Sequence, residues 1–262
     1  MATQIPLLII KQGSDSVFIT ADTLFTGRVI DLLKTKNIPR VRPVPIDTSI
    51  KKGVTKTIIK DTVKVAAAKP TIKKGSSKNS IDSVKLKSEP TVDSTLKYFE
   101  AYKNVKIFSD SLQAVGDSLF FSGLDSVFRL FNEPILWAQE NQINGDTIYL
   151  FMENRKPQRI KVFENAMAIN LVGKGYYNQL AGKTLNAFFV DGKINYMRCK
   201  GNPAQSIYYG VDDKGKFFGV NKAGADLIDM YFSDNKPDRV VFRNKLEGTT
   251  YPMGQVNHNE LK

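Results

Sequence analysis

The sequence predicts an all-β protein, and two observations carry that prediction. The first is a short unit that recurs: residues 112–121 (LQAVGDSLFF) are echoed by residues 141–150 (NQINGDTIYL). In each, a Gly-Asp step (Gly116-Asp117, Gly145-Asp146) precedes a hydroxyl residue and then an apolar, aromatic-rich run. A third copy is Thr20-Ala21-Asp22-Thr23-Leu24-Phe25, and a looser fourth is Gly224-Ala225-Asp226-Leu227-Ile228. An Asx-type turn caps a strand end, a small residue before it lets the backbone turn tightly, and the β-branched and aromatic residues after it pair into a sheet. The second observation is spacing. Gly, Asn, Asp and Pro punctuate the chain too often to leave room for the crossover helices of parallel sheets.

Three regions follow in order. Residues 1–33 read as an isolated repeat unit, with strands at 16–20 and 23–25. Residues 34–97 change character: no aromatic occurs between Phe25 and Tyr98, and Lys, Thr, Ser, Pro and Val dominate. Such a segment buries too little apolar surface to offset the entropy of ordering it, which predicts a disordered, extended insert. Residues 98–262 form the main β domain. Strands are expected at 103–108, 118–122, 126–131, 147–152, 159–164, 167–171, 184–190, 194–201, 206–209, 217–220, 227–232 and 239–243. Short helical turns are allowed only at 178–185 and 137–142.

At 262 residues and 42% hydrophobic content the chain can hold a sizeable core. The single cysteine, Cys199, excludes an intramolecular disulfide. The net charge of +12 resembles a nucleic-acid or anionic-membrane signal until it is located. Most of its excess sits between Ile50 and Lys97, on Lys51, Lys52, Lys56, Lys60, Lys64, Lys69, Lys73, Lys74, Lys78, Lys85, Lys87 and Lys97, opposed there only by Asp61, Asp82, Glu89 and Asp93. That part has neither arginine nor interleaved aromatics, so bidentate phosphate grip and base stacking are missing and no nucleic-acid partner is expected.

Candidate chemical sites are few. His258 is the lone histidine and lies in a polar tail, so neither a histidine-based triad nor a His/Cys zinc set assembles readily. Ala181-Gly182-Lys183-Thr184 resembles the end of a phosphate-binding loop, but Tyr177 occupies the position where that loop needs glycine, and a strand follows. Asp22, Asp117 and Asp146 read as turn caps rather than paired catalytic carboxylates. Asp212, Asp213 and Asp229 offer at most a weak calcium site. No catalytic residue, metal or cofactor is assigned, and the chain is not expected to be an enzyme.

What remains is apolar surface: Phe120, Phe128, Leu130, Leu136, Trp137 and Ile148, then Leu150, Val162, Phe188, Tyr196, Ile207 and Tyr208, with Phe218 beside them. By itself this set describes an ordinary sandwich core.

The run NVKIFSDSLQAVGDSLFFSGLDSVFRLFNEPILWAQENQINGDTIYL, followed by NQLAGKTLNAFF, GNPAQSIYYGVDDKG, GVNKAGADLIDMYF and TYPMGQ, resembles the OstA-like proteins of Bacteroidetes-type bacteria. These are relatives of the lipopolysaccharide-transport proteins LptA and the amino-terminal domain of LptD. The resemblance covers roughly residues 98–255, with residues 15–27 as a separate copy. It implies a β-jelly roll of two antiparallel sheets built from short repeats and interrupted by the Lys-rich insert. It also implies a non-enzymatic lipopolysaccharide-binding and transport protein of the periplasm or the periplasmic face of the outer membrane. The twelve residues from Phe120 to Tyr208 would then line a slot for the acyl chains of lipid A. Partners implied are other OstA/Lpt-family envelope proteins, through edge strands, and head-to-tail copies of this chain, with edges expected at 16–25 and 239–243. Export requires a signal that this chain does not show, so the chain is expected to be an internal fragment; the alternative is that Met1 is the native start and the protein is cytoplasmic. Two rival functions stay open: a structural β-repeat scaffold of the envelope without lipid binding, and a basic nucleic-acid-binding protein acting through the insert.

Overall fold

The computed structural model describes residues 1–12, 15–34, 93–110, 112–154, 156–173, 175–212, 214–234 and 236–258. Its elements are β1 (Ala2–Thr3), β2 (Leu7–Gln12), β3 (Asp15–Thr20), β4 (Thr23–Arg28), a short helix α1 (Val29–Lys34), β5 (Lys97–Phe108), β6 (Gln113–Ser122), β7 (Val127–Phe131), β8 (Ile135–Ala138), β9 (Asn141–Asn144), β10 (Thr147–Glu153), β11 (Lys156–Gly173), β12 (Tyr176–Val190), β13 (Lys193–Val211), β14 (Phe217–Ser233), β15 (Lys236–Arg243) and β16 (Glu247–Pro252). All sixteen strands belong to one antiparallel network, as the repeats and turns predict.

The long strands change partner halfway. β5 pairs with β4 through its first half and with β3 through its second. β6 pairs with β8 and then β7; β11 pairs with β10 and then β9; β14 pairs with β16 and then β15. The halves therefore build two antiparallel layers. One contains β4, β7, β10 and β15; the other contains β3, β8, β9 and β16. At the centre the ladder closes on itself through β6, β7, β10, β11, β9 and β8.

The repeated aspartates mark the line where the chain passes between layers. Opposite Asp22, Asp117, Asp146 and Asp226 lie four residue pairs with left-handed backbone: Lys103-Asn104, Asn132-Glu133, Glu164-Asn165 and Asn244-Lys245. Asparagine is the non-glycine residue best suited to that region, because its short amide bonds locally. Here the bond is to the neighbouring strand. The amides of Asn104, Asn132 and Asn165 each donate to the carboxylate of Asp22, Asp117 and Asp146 at 3.0 Å. The main-chain N–H groups of Asp22, Asp146 and Asp226 donate to the carbonyls of Lys103, Glu164 and Asn244 at 2.9, 3.2 and 3.1 Å. One Asp/Asn corner, used repeatedly, turns a folded sheet into two facing layers.

Alternation of side chains then fills the space between the layers with a single core that runs from Ile19 and Phe99 through Leu130, Ile148 and Leu185 to Ile228 and Phe232. The outward positions form rows in register. On the first layer one row reads Phe120, Arg129, Tyr149, Lys161, Asn186, Arg198, Asp229. On the second it reads Gln113, Trp137, Gln142, Ile169, Gln179, Ile207, Lys222, Thr249.

Several expectations need correction. The strands expected separately at 159–164 and 167–171 are one strand, β11, and β13 and β14 likewise absorb two expected strands each. The bulged corners at Glu164-Asn165 and Asn202-Pro203 break the sequence alternation without ending the ladder. Both segments allowed a helical turn are strand or hairpin, and the region 1–33 closes with an unexpected helix, α1, which ends at Lys34. Residues 1–33 are not an isolated unit, since β3 and β4 pair with β5 and share its core. In the second layer β2 lies outside β3, so the edge there is Leu7–Gln12 rather than 16–20; in the first layer β4 is covered only at Thr23 and Leu24, by β1. Beyond α1 and residues 93–97, the insert expected over 34–97 lies outside the described residues.

Candidate functional site

The twelve apolar candidates fall on two surfaces. Phe128, Leu130, Leu136, Ile148, Leu150 and Val162 are buried between the layers and belong to the core. They surround the closed central ring, where β6, β7, β8, β10 and β11 bring them together. Phe120, Phe188 and Tyr196 instead lie on the outer face of the first layer. Trp137 and Ile207 lie on the outer face of the second, where Trp137 donates to Gln142 at 3.1 Å. Phe218, at 62% exposed, leaves the interior altogether. Tyr208 differs from all of these. Half-buried on β13, it crosses from the second layer and its hydroxyl donates to the Pro237 carbonyl of the first at 3.4 Å.

A cavity of about 10 Å³ remains between the layers, among Asn141, Asn170, Asn178, Met197, Met230 and Phe232. The Asn141 side-chain N–H₂ is buried there with no hydrogen-bond partner. The apolar interior meets its limit at the C-terminal end of the stack. β15 and β16 both pair with β14, but with different halves of it and not with each other. The layers thus end side by side without a ladder between them. Val240 and Phe242 of β15 are only partly buried against the core at this end, and the facing strands offer small residues, Ala223 and Gly248. A larger groove, about 580 Å³, lies outside, on the second layer over Ala181 and Gly224, with Gln179, Gln205, Ile207, Lys222 and Thr249 on its walls.

Among the described residues two charged side chains are deeply buried, Arg129, which pairs with Asp125, and Asp229, both on the outer face of the first layer. Asp229 is 0% exposed. It accepts from the Tyr196 hydroxyl at 2.6 Å, from Arg198 Nε and Nη2 at 2.7 and 3.1 Å, and from Arg243 Nε at 2.9 Å. Burial alone would raise its carboxyl; the bonds from Arg198, Tyr196 and Arg243 outweigh burial and hold it below the usual carboxylate range. Burial and the same carboxylate push the Tyr196 phenol up. Sequence reasoning noticed Asp229 only as a weak calcium ligand. The register that sets Arg198 and Tyr196 beside it is not visible in a linear reading.

The remaining candidates take structural places. His258 packs on Tyr176 and bonds the Tyr209 hydroxyl and the Met253 carbonyl at 3.3 and 3.1 Å. Cys199 is buried, which pushes its thiol up to about 12. Lys183 sits at the corner of β12, 3.6 Å from the Glu164 carboxylate, within a strand and not at a helix start. The Asp212 carboxylate accepts from the N–H groups of Lys214 and Lys216, closing its own turn, and Asp213 lies outside the described residues. Among the described residues no group of three or more His, Cys, Asp or Glu is placed to hold a metal ion, and no helix is long and apolar enough to cross a membrane. No protein-family model matches the chain, and no curated protein sequence matches it either.

Proposed function

We propose that this protein is a non-enzymatic lipid carrier of the cell envelope, which shields the acyl chains of lipopolysaccharide between its two layers at the periplasmic face of the outer membrane. The observation that carries the reading is the open end of the stack, where β15 and β16 diverge over the half-buried Val240 and Phe242. An acyl chain entering there meets apolar side chains along a core that continues through the whole fold. The driving force is large. At roughly 0.8 kcal/mol per methylene, a chain of about fourteen carbons costs on the order of 10 kcal/mol to leave in water. Loading would part the layers at this end, where Tyr208 with its bond to Pro237 stands between them. The sequence resemblance to OstA-like proteins supplies the choice of lipid.

The test is binding of lipid A by the full chain, read by co-elution in gel filtration and repeated at 1 M salt. Phe242→Asp, which places a charge at the open end but outside the central ring, is expected to abolish co-elution with little change in melting temperature. Phe188→Asp, on the outer face, is expected to leave it intact. Binding that disappears in high salt, or that survives Phe242→Asp and is lost with Phe188→Asp, overturns the reading.

The free edges extend it. β2 presents Leu7 and Ile9 to solvent at 59% and 49% exposed, and β15 and β16 end the opposite side. Unpaired edges recruit further strands, so we infer head-to-tail contacts with copies or with related envelope proteins. Sedimentation velocity should show concentration-dependent oligomers that Ile9→Lys reduces; a parent that stays monomeric at every concentration argues against them.

A further inference from the structure

The two outer faces of the protein differ in chemistry. The second layer presents a row of glutamine, isoleucine and threonine with Trp137 and the single row cation Lys222, and Lys106 in the row beside it. The first presents rings and cations side by side. Along one register row Phe151, Arg159, Phe188, Tyr196, Tyr231 and Arg239 follow one another from β10 to β15. Six cation–π contacts occur among the described residues, and all six lie on this face. Arg159 covers the Phe151 ring at 4.1 Å, Lys161 the Phe163 ring at 4.6 Å, and Arg239 the Tyr231 ring at 4.3 Å.

The charge on this face is only partly compensated: Arg129 pairs with Asp125, and Glu100 stands in the same register row as Phe120 and Arg129. Asp229, its buried acid, is already shared by Arg198 and Arg243. Arg159, Lys161 and Lys200 have no acidic partner among the described residues, and the buried Arg159 Nε has no hydrogen-bond partner there. These three cations also oppose one another: burial and the neighbouring charges of Arg159 and Lys200 push the Lys161 ammonium down. A face that gathers mutually repelling cations gains when an anion array covers it.

We propose that the outer face of the first layer docks on the surface of an anionic lipid bilayer, with Arg159, Lys161, Lys200 and Arg239 among the headgroup phosphates and the rings beneath them at the interface. Size favours a surface over a single small anion. Five strand spacings of about 4.8 Å give a span of roughly 24 Å from β10 to β15. Composition favours a bilayer over single-stranded nucleic acid. The rings that bases would stack on already carry Arg or Lys on their faces, whereas amphipathic rings and long cationic stems suit the headgroup region. The inference is independent of acyl-chain binding between the layers, which uses the opposite side of these strands.

The test uses the full chain and vesicles of phosphatidylglycerol and phosphatidylcholine, 1:1, against phosphatidylcholine alone, at low salt. The variant Arg159→Gln/Lys161→Gln/Lys200→Gln should weaken binding to the anionic vesicles roughly a hundredfold, from about fivefold per charge near the surface. The charge-matched control Lys51→Gln/Lys52→Gln/Lys56→Gln should weaken it far less. Equal losses in the two variants, or a loss only in the control, overturn the proposal, as does a parent that binds single-stranded DNA while ignoring the anionic vesicles. Orientation gives a second readout that survives if the triple variant misfolds. Trp137, the only tryptophan, lies on the opposite face, so brominated phosphatidylglycerol should leave its emission unquenched. Phe188→Trp in a Trp137→Phe background should be quenched. Quenching of Trp137 but not of the residue at 188 overturns the proposal.

Discussion

Replacing Asp229 with alanine should lower stability by roughly 2–4 kcal/mol, since breaking a buried ion pair costs about 3–5 kcal/mol and the partial exposure of Arg198 and Arg243 softens the loss. The alanine strands the Arg198 guanidinium and the Tyr196 hydroxyl on a crowded face, each without its main acceptor. The effect depends on pH with a definite sign. The Asp229 carboxyl is held below its ordinary value in the folded state, so its contribution is complete above pH of about 4 and fades as pH falls through the folded value. Parent and Asp229→Asn should therefore differ most in melting temperature near neutral pH and converge as the pH falls below the ordinary carboxylate range. A difference that stays constant over that range, or an alanine variant that melts with the parent, removes Asp229 from the account of stability.

Gly145→Ala should cost about 1–3 kcal/mol, while the same change at Gly116 should be close to neutral. The two glycines hold the same place in the repeat, before Asp146 and Asp117, and a sequence reading treats them alike. The structure does not. A Cβ on Gly145 would stand 2.3 Å from Val162 Cγ1 and 2.9 Å from the Glu164 carbonyl oxygen, and Val162 is fully enclosed by the core. A Cβ on Gly116 would come no closer than 3.4 Å, to Pro134 Cβ. At that site the lower entropy of the unfolded chain offsets most of any strain. Alanine already fills the equivalent place at Ala21 and Ala225, both buried. Urea denaturation of the two variants side by side measures the contrast; equal costs would show that the corners are equivalent after all.

These two sites show what a linear reading reaches. The aspartates of the repeat are legible as caps because each carries its turn chemistry within a few residues. Their partners are not, because Asn104, Asn132 and Asn165 lie 82, 15 and 19 residues away and meet the aspartates only through strand register. Strand content is legible from alternation; strand length is not, because the corners of β11 and β13 interrupt alternation while the hydrogen-bond ladder continues. The candidate lipid residues share only size and apolar character. Those criteria cannot tell the inward Leu130 and Ile148 from the outward Phe120 and Phe188, which differ only in parity along their strands. Parity also hid the cationic face, since Arg159 and Lys161 sit near Phe151 and Phe163 through cross-strand and i, i+2 placement.

The acyl-carrier reading is tested most directly by locating a bound lipid. A photo-reactive phenylalanine analogue placed at Phe242, in the open end between β15 and β16, is compared with the same analogue at Phe188 on the outer face, each irradiated with lipid A. The account predicts a covalent lipid adduct at position 242 that persists at 1 M salt, and none at 188 under the same conditions. An adduct at 188 with none at 242 would contradict it, and would place the lipid on the outside of the protein.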